Sequence, residues 1–189
     1  MKPAVFLDRD GTLIQHVHHL RRVEDVALVP GADAAVSTLR AAGYACVVIT
    51  NQSVLGRGLL TQADLERIHE RMAALLAAGE ARLDGIYVSP HVPGTSDQSV
   101  IEHADRKPGP GLLQRAAADL GLDLGRSYMV GDSLSDVLAG QNAGCRESLL
   151  VLTGYGEATN QRHAGRFRTA PSIVEAARMI LNETRSLDR

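Results

Sequence analysis

Short apolar runs alternate with longer amphipathic stretches from one end of the chain to the other. Ala4-Val5-Phe6-Leu7 and Ala45-Cys46-Val47-Val48-Ile49 are continuous runs, and Gly85-Ile86-Tyr87-Val88, Tyr128-Met129-Val130 and Ser148-Leu149-Leu150-Val151 follow at intervals. A segment apolar on both faces suits a strand of a parallel sheet covered by helices above and below. Between these runs, residues 32–42 are Ala-rich and stop at Gly43, and residues 61–78 carry Leu65, Ile68, Met72, Leu75 and Leu76 at helical spacing. Thr61, followed three positions on by Asp64, has the form of a capping box. Residues 112–120 stop at Gly121, residues 134–143 stop at Gly144, and residues 171–181 form a last helix with Pro171 in its first turn. The tail over residues 182–189 is expected to fray. Alternation of this kind predicts an α/β fold: a doubly wound, mostly parallel sheet with helices on both faces. Ligands of such sheets gather at the carboxyl ends of the strands, so chemistry is expected in the turns that follow them.

The length suits one domain over residues 1–189. A net charge of -2 and a pI near 6.4 exclude the strongly basic footprint of a nucleic-acid binder. No apolar run approaches the ~20 residues of a membrane span. The start, Met1-Lys2-Pro3-Ala4, leads straight into the first strand, so no signal peptide is expected. Cys46 and Cys145 lie far apart and read as free thiols of a cytosolic protein. Aromatics at 3% exclude stacking on bases or sugars as a main theme. A cytoplasmic monomer is the expected form.

The first strand runs into Asp8-Arg9-Asp10-Gly11-Thr12. Two carboxylates at a strand end can hold a hard cation, or divide the work of nucleophile and proton donor. Alone, the segment would read as an Asp-Gly turn. The second strand ends in Thr50-Asn51-Gln52-Ser53, where a hydroxyl and backbone N–H groups could bind phosphate oxygens; alone, it is an ordinary strand-to-helix turn. Arg106-Lys107-Pro108 precedes a helix and sets positive charge beside a helix N-terminus, although an isolated basic pair is usually a solvated one. Gly131-Asp132-Ser133-Leu134-Ser135-Asp136 ends the fourth strand, with Asp136 one helical turn beyond Asp132; the plainer role for Asp132 is an N-cap. Together the four segments supply carboxylates, a hydroxyl and a lysine around a divalent cation. Magnesium suits oxygen-only ligands and a substrate phosphate, and each part has a role in phosphoryl transfer.

In this order the four segments resemble the motifs of the haloacid dehalogenase superfamily of phosphatases. The resemblance covers the chain from the first strand to about residue 145. It implies that Asp8 attacks phosphorus and forms an aspartyl phosphate, and that Asp10 protonates the leaving oxygen and then activates water. It also implies that Thr50 and Lys107 hold the phosphoryl oxygens, and that magnesium sits on Asp8, the Asp10 carbonyl and Asp132, with Asp136 in support. The gaps between motifs leave no room for a large cap domain. Arg9, Thr50 to Ser53, Arg57-Gly58, Asp84 to Tyr87 and Arg106-Lys107-Pro108 look like the heptose bisphosphate phosphatase branch, a near relative of the histidinol-phosphatase domain. By that likeness Arg106 recognises the second phosphate or hydroxyls, and Asn51, Gln52 and Ser53 line a small phosphorylated sugar. Histidinol phosphate or another small sugar phosphate is the alternative substrate. A non-catalytic module would be expected to have lost Asp8, Asp10 or Lys107, and none is lost.

Two stretches depart from that branch. Its zinc loop carries Cys-x-His and then Cys-x-Cys, where this chain has Ser89, His91, His103 and Asp105. With no thiolate left, the loop is expected to be ordered without zinc, with the two histidines close together as a relic. The second stretch, His16-Val17-His18-His19, reads either as a phosphate contact when protonated or as a polar flap. Thr153-Gly154-Tyr155-Gly156 reads as a glycine-rich turn, with the rim of the site as the alternative. His69 and His163 are expected to face solvent, and Arg21-Arg22 to be a solvated pair.

Overall fold

The structure, a computed structural model, describes residues 1–187. Six strands form one sheet: β1 (Ala4–Leu7), β2 (Ala45–Asn51), β3 (Gly85–Ser89), β4 (Tyr128–Gly131), β5 (Glu147–Val151) and β6 (Thr169–Ala170). Their order is β3-β2-β1-β4-β5-β6, and every pairing is parallel. The helices are α1 (Ala32–Ala41), α2 (Ser53–Gly56), α3 (Gln62–Ala78), α4 (Gly111–Leu120), α5 (Leu134–Ala143), α6 (Gly156–Arg162) and α7 (Ile173–Leu187).

Alternate strand residues face opposite ways and meet different helices. Val5, Leu7, Cys46, Val48, Val130 and Leu149 pack with Val36 and Leu39 of α1, Leu65, Ile68 and Met72 of α3, and Ile173 and Ile180 of α7. Ala4, Phe6, Val47, Ile49 and Met129 face the other way, onto Leu112, Leu113 and Ala116 of α4 and Ala139 of α5. This is the two-sided burial that the continuous apolar runs predict. Helix ends follow the punctuation residues. Thr61 and Asp64 cap α3 reciprocally, each backbone N–H bonding the other's side chain at 3.1 Å. Gly121 and Gly144 close α4 and α5 in the left-handed conformation, at φ 64° and 78°.

Several expectations need correction. Pro171 is not in the first turn of the last helix: α7 begins at Ile173, and Ser172 precedes it with its hydroxyl on Glu175. That helix also runs on through Asn182 to Leu187, where a frayed tail was expected. Its Glu183 pairs with Arg146 at 3.0 Å and with Arg168, which ties this turn to the sheet. Residues 188 and 189 lie outside the described ones. Strand β6, helix α2 and helix α6 are additional, each too short to leave a periodic signal. Between the strands, the described residues hold these helices, two short 3-10 turns at Val23–Asp25 and Leu124–Arg126 and connecting loops, so no large cap covers the sheet.

Candidate active site

The winding of the sheet reverses between β1 and β4, which pair side by side while their connections run to opposite edges. Ligands bind at such a point, outside the carboxyl ends of the strands. Asp8 follows β1 there and Asp132 follows β4, while the loop into α4 delivers Lys107 across from β2. The Lys107 ammonium, 3% exposed, lies 2.5 Å from Asp8 Oδ1, 2.6 Å from Asp136 Oδ1 and 2.7 Å from the carbonyl oxygen of Ile49. One carboxylate oxygen each from Asp8, Asp132 and Asp136 lie within 4.8 Å of one another.

Three carboxylates against one ammonium leave two negative charges in a buried place. Burial, together with Asp136 and Asp10, pushes the Asp8 carboxyl up to about 7 despite Lys107. Burial, Asp8 and Asp136 push Asp132 up to about 8. Burial alone would lower the Lys107 ammonium, but Asp136 and Asp8 outweigh it and hold it above its ordinary value. The site therefore lacks positive charge, and its donors are hard oxygens, which is the set a divalent cation such as magnesium takes.

The surroundings fix these groups. Asp136 accepts from the Ser133 backbone N–H at 2.9 Å and from its hydroxyl at 2.6 Å, so it caps α5 while facing Lys107. The N-cap is thus Ser133, and Asp132 is left for the cluster. Asp132 accepts from the Tyr155 N–H at 2.8 Å. A Cβ on Gly11 or Gly154 would run into the Asp132 carboxylate, so both loops close on the site only as glycine. The segment 153–156 is therefore part of the site as well as a turn, which favours the rim alternative over the plain glycine-rich turn.

A cavity of about 260 Å³ opens above the cluster. Asp8, Asp10, Asn51, Gln52, Ser53, Arg106, Lys107, Asp132 and Asp136 line it, so the structure brings together residues from all four motifs. Thr50 does not line it; it is 1% exposed and accepts from Gln52 Nε2 at 2.8 Å. Asn51 spends its amide on the backbone of Lys107, donating to its carbonyl at 3.0 Å and accepting from its N–H at 3.1 Å. Gln52 also donates to Asp10 Oδ2 at 2.9 Å. Asp10 stands outside the carboxylate cluster, with its side chain on Arg9. His16, His19, Gln98 and Tyr155 line the cavity too, and the rings of His16 and Tyr155 lie 4.3 Å apart.

The expectation that His69 faces solvent is wrong: it is half-buried and meets Arg9 at 3.2 Å. His163 is half-buried as well, against Phe167. At the departed zinc loop the rings of His91 and His103 stack with centroids 3.4 Å apart. Asp105 is turned away to Arg115, and Ser89 is fully buried.

Comparison with known proteins agrees with this geometry. A family model described as HAD-hydrolase-like matches residues 104–176. Fold and site define a phosphatase of the haloacid dehalogenase superfamily. The chain is 42% identical over 161 residues to the D-glycero-D-manno-heptose-1,7-bisphosphate 7-phosphatase of Thermosynechococcus vestitus, across 82% of either chain. By this similarity the chain belongs to the heptose 1,7-bisphosphate phosphatase family. It is also 40% identical over 153 residues to the D-glycero-beta-D-manno-heptose-1,7-bisphosphate 7-phosphatase of Escherichia coli, across 80% of either chain. The crystal structure of D,D-heptose 1,7-bisphosphate phosphatase from B. bronchiseptica, complexed with magnesium and phosphate, matches with a TM-score of 0.85 at 33% identity, covering 96% of this chain and 99% of that one. No helix among the described residues is long and apolar enough to cross a membrane.

Proposed function

We propose that this chain is a magnesium-dependent phosphatase that removes the 7-phosphate of D-glycero-D-manno-heptose 1,7-bisphosphate through an aspartyl-phosphate intermediate. The observation that carries the chemistry is the buried Lys107 ammonium between Asp8 and Asp136 under a polar cavity. The names of its relatives support the sugar. With all six strands in one sheet, the chain is read as a single catalytic domain, acting as a cytoplasmic monomer. Phosphate release from the heptose bisphosphate, measured beside histidinol phosphate, tests the substrate; preference for histidinol phosphate would overturn it.

Asp8, Asp132 and Asp136, with the backbone carbonyl of Asp10, would hold magnesium. When bound, it neutralises charge on the transferring oxygens. Asp8 presents a carboxylate oxygen to phosphorus, and the bond from phosphorus to the sugar oxygen breaks. Asp10 gives its proton to that leaving oxygen. It then takes a proton from the water whose oxygen attacks phosphorus, and phosphate leaves as the Asp8 carboxylate is restored. Lys107 holds the phosphoryl oxygens, while Asn51 keeps the Lys107 backbone in register with β2; the Thr50 hydroxyl, expected to share that task, is instead covered by Gln52.

Arg106 is read as the contact for the second phosphate. One Nη1–H is fixed on the His91 carbonyl at 2.7 Å, and the side chain borders both the main cavity and the adjoining one. A guanidinium holds phosphate through parallel hydrogen bonds that few other side chains supply. Arg106→Ala is expected to lower kcat/KM for the bisphosphate by about tenfold or more, with little change for p-nitrophenyl phosphate. Equal losses on both would assign Arg106 to the transferring phosphoryl group.

Metal binding should depend on pH. Asp8 and Asp132 in the metal-free protein are raised to about 7 and about 8 from an ordinary 3.8. A raised carboxyl contributes stability that is full below the unfolded value and is lost as pH rises through the folded one. Magnesium binds the ionised forms and offsets that loss. Calorimetry should therefore show a larger rise in Tm on adding magnesium near pH ~8.5 than near pH ~5.5. The same rise at both would move the ion away from this cluster.

The loop of residues 89–105 is proposed to stand without zinc. Glu102 accepts from the Gly94 N–H at 2.9 Å, and Asp97 Oδ1 accepts from the Ser99 N–H at 2.9 Å, so hydrogen bonds shape it. Elemental analysis of protein purified without added metal is expected to find zinc far below stoichiometric. Stoichiometric zinc lost on His91→Ala with His103→Ala would reverse this.

A further inference from the structure

Arg9 separates the two carboxylates of the first motif and has so far been given no task. It is 1% exposed and among the largest fully buried side chains of the protein. Burying an arginine is costly unless its donors are satisfied. Its fork is satisfied by one carboxylate: Nε donates to Asp10 Oδ2 at 3.0 Å and Nη2 to Asp10 Oδ1 at 3.0 Å. Its remaining arm, Nη1, meets His69 Nε2 at 3.2 Å, from sixty positions further along the chain on α3. For Nη1 to donate, His69 must be neutral with its proton on Nδ1. Burial and the Arg9 charge push the His69 ring down to about 4, which keeps it neutral at ordinary pH.

Gln52 closes the arrangement from the other side, donating to Asp10 Oδ2 and to Thr50. The bidentate fork fixes the plane of the Asp10 carboxylate, which a single hydrogen bond would leave free to turn. A proton crosses usefully only when its carrier is aimed at the reacting oxygen, and small misplacements carry large losses in rate.

We propose that Arg9 is a positioning residue for Asp10, with His69 as the acceptor that holds the guanidinium in place. This rests on Asp10 being the group that moves the proton, so the test separates the two. In full-length enzyme with magnesium, Arg9→Met keeps the apolar stem and removes the fork, and Arg9→Lys keeps the charge without it. Both should lower kcat on the heptose bisphosphate by about tenfold or more while KM stays within about threefold. Single-turnover release of dinitrophenolate from 2,4-dinitrophenyl phosphate, a leaving group that needs no proton, should change by less than about threefold.

His69→Leu should repeat the loss on the heptose bisphosphate. His69→Gln, whose amide oxygen can accept from Nη1, should restore it. That pair decides the matter if the Arg9 variants do not fold. Asp10→Asn must itself show the dependence on leaving group; if it does not, the role of Asp10 fails. If Asp10→Asn shows it but Arg9→Met loses equally on both substrates, or His69→Leu equals wild type, the role of Arg9 is overturned.

Discussion

Asp8→Asn is expected to reduce hydrolysis of the heptose bisphosphate by at least ~10⁴-fold while the protein stays folded. The amide is nearly isosteric and still offers Lys107 an acceptor oxygen, but it is a poor nucleophile toward phosphorus. The same substitution removes one of three buried carboxylates that repel each other; burial first, and then this crowding, raises Asp8 and Asp132. The melting temperature of the metal-free variant should therefore equal or exceed that of wild type, whereas its gain on adding magnesium should shrink. Phosphate release and mass spectrometry of acid-quenched protein give the readouts. A phosphate adduct on the Asp8 peptide is expected in wild type alone, and wild-type turnover by Asp8→Asn would falsify the covalent route.

Lys107→Met should damage both stability and rate. The ammonium touches Asp8, Asp136 and the Ile49 carbonyl within 2.5–2.7 Å and is almost wholly buried. Removing one member of a buried ion cluster leaves the others uncompensated, a loss of about 3–5 kcal/mol. Lys107 is raised above its ordinary value, so its contribution is complete through the neutral range and fades only in strong alkali. The raised Asp8 and Asp132 can take up protons in acid, so the loss should be smaller near pH ~5 than near pH ~8. Turnover should fall by about 10²-fold or more, since a charge aimed at the transferring oxygens disappears. Urea unfolding at the two pH values measures the first effect, and a stability loss below about 1 kcal/mol at the higher pH would contradict the buried cluster.

Much of the site was legible in the sequence because three motifs follow strands marked by apolar runs and the fourth precedes a helix. Asp8 and Asp132 fall in the turns after β1 and β4, Asp136 one helical turn beyond, and Lys107 in the loop just before α4. What escaped notice depends on partners distant in the chain. His69 sits on a helix far along the chain, and only the packing of α3 into the same core as β1 brings it to Arg9. Asn51 looked like a substrate contact, yet its amide is committed to the backbone of Lys107. Thr50 was expected to hold phosphoryl oxygens, yet its hydroxyl lies beneath Gln52 and outside the cavity lining.

By itself the sequence determined what depends on local pattern. Two-sided apolar runs suited covered parallel strands, although the run at Gly85 to Val88 became the edge strand β3; Thr61 with Asp64 and the glycines set helix ends, and the order of the motifs pointed to the superfamily. Tertiary structure alone decided what depends on assembly. The reversal of winding between β1 and β4 gathers four motifs into one cluster, and burial there turns ordinary carboxylates into groups that favour a cation. It also decided that Asp132 is held by the Tyr155 N–H and that Asp10 is gripped by a buried arginine. The reason is physical: spacing fixes which way a side chain points along its own element, whereas desolvation and partners are set by elements far away in sequence.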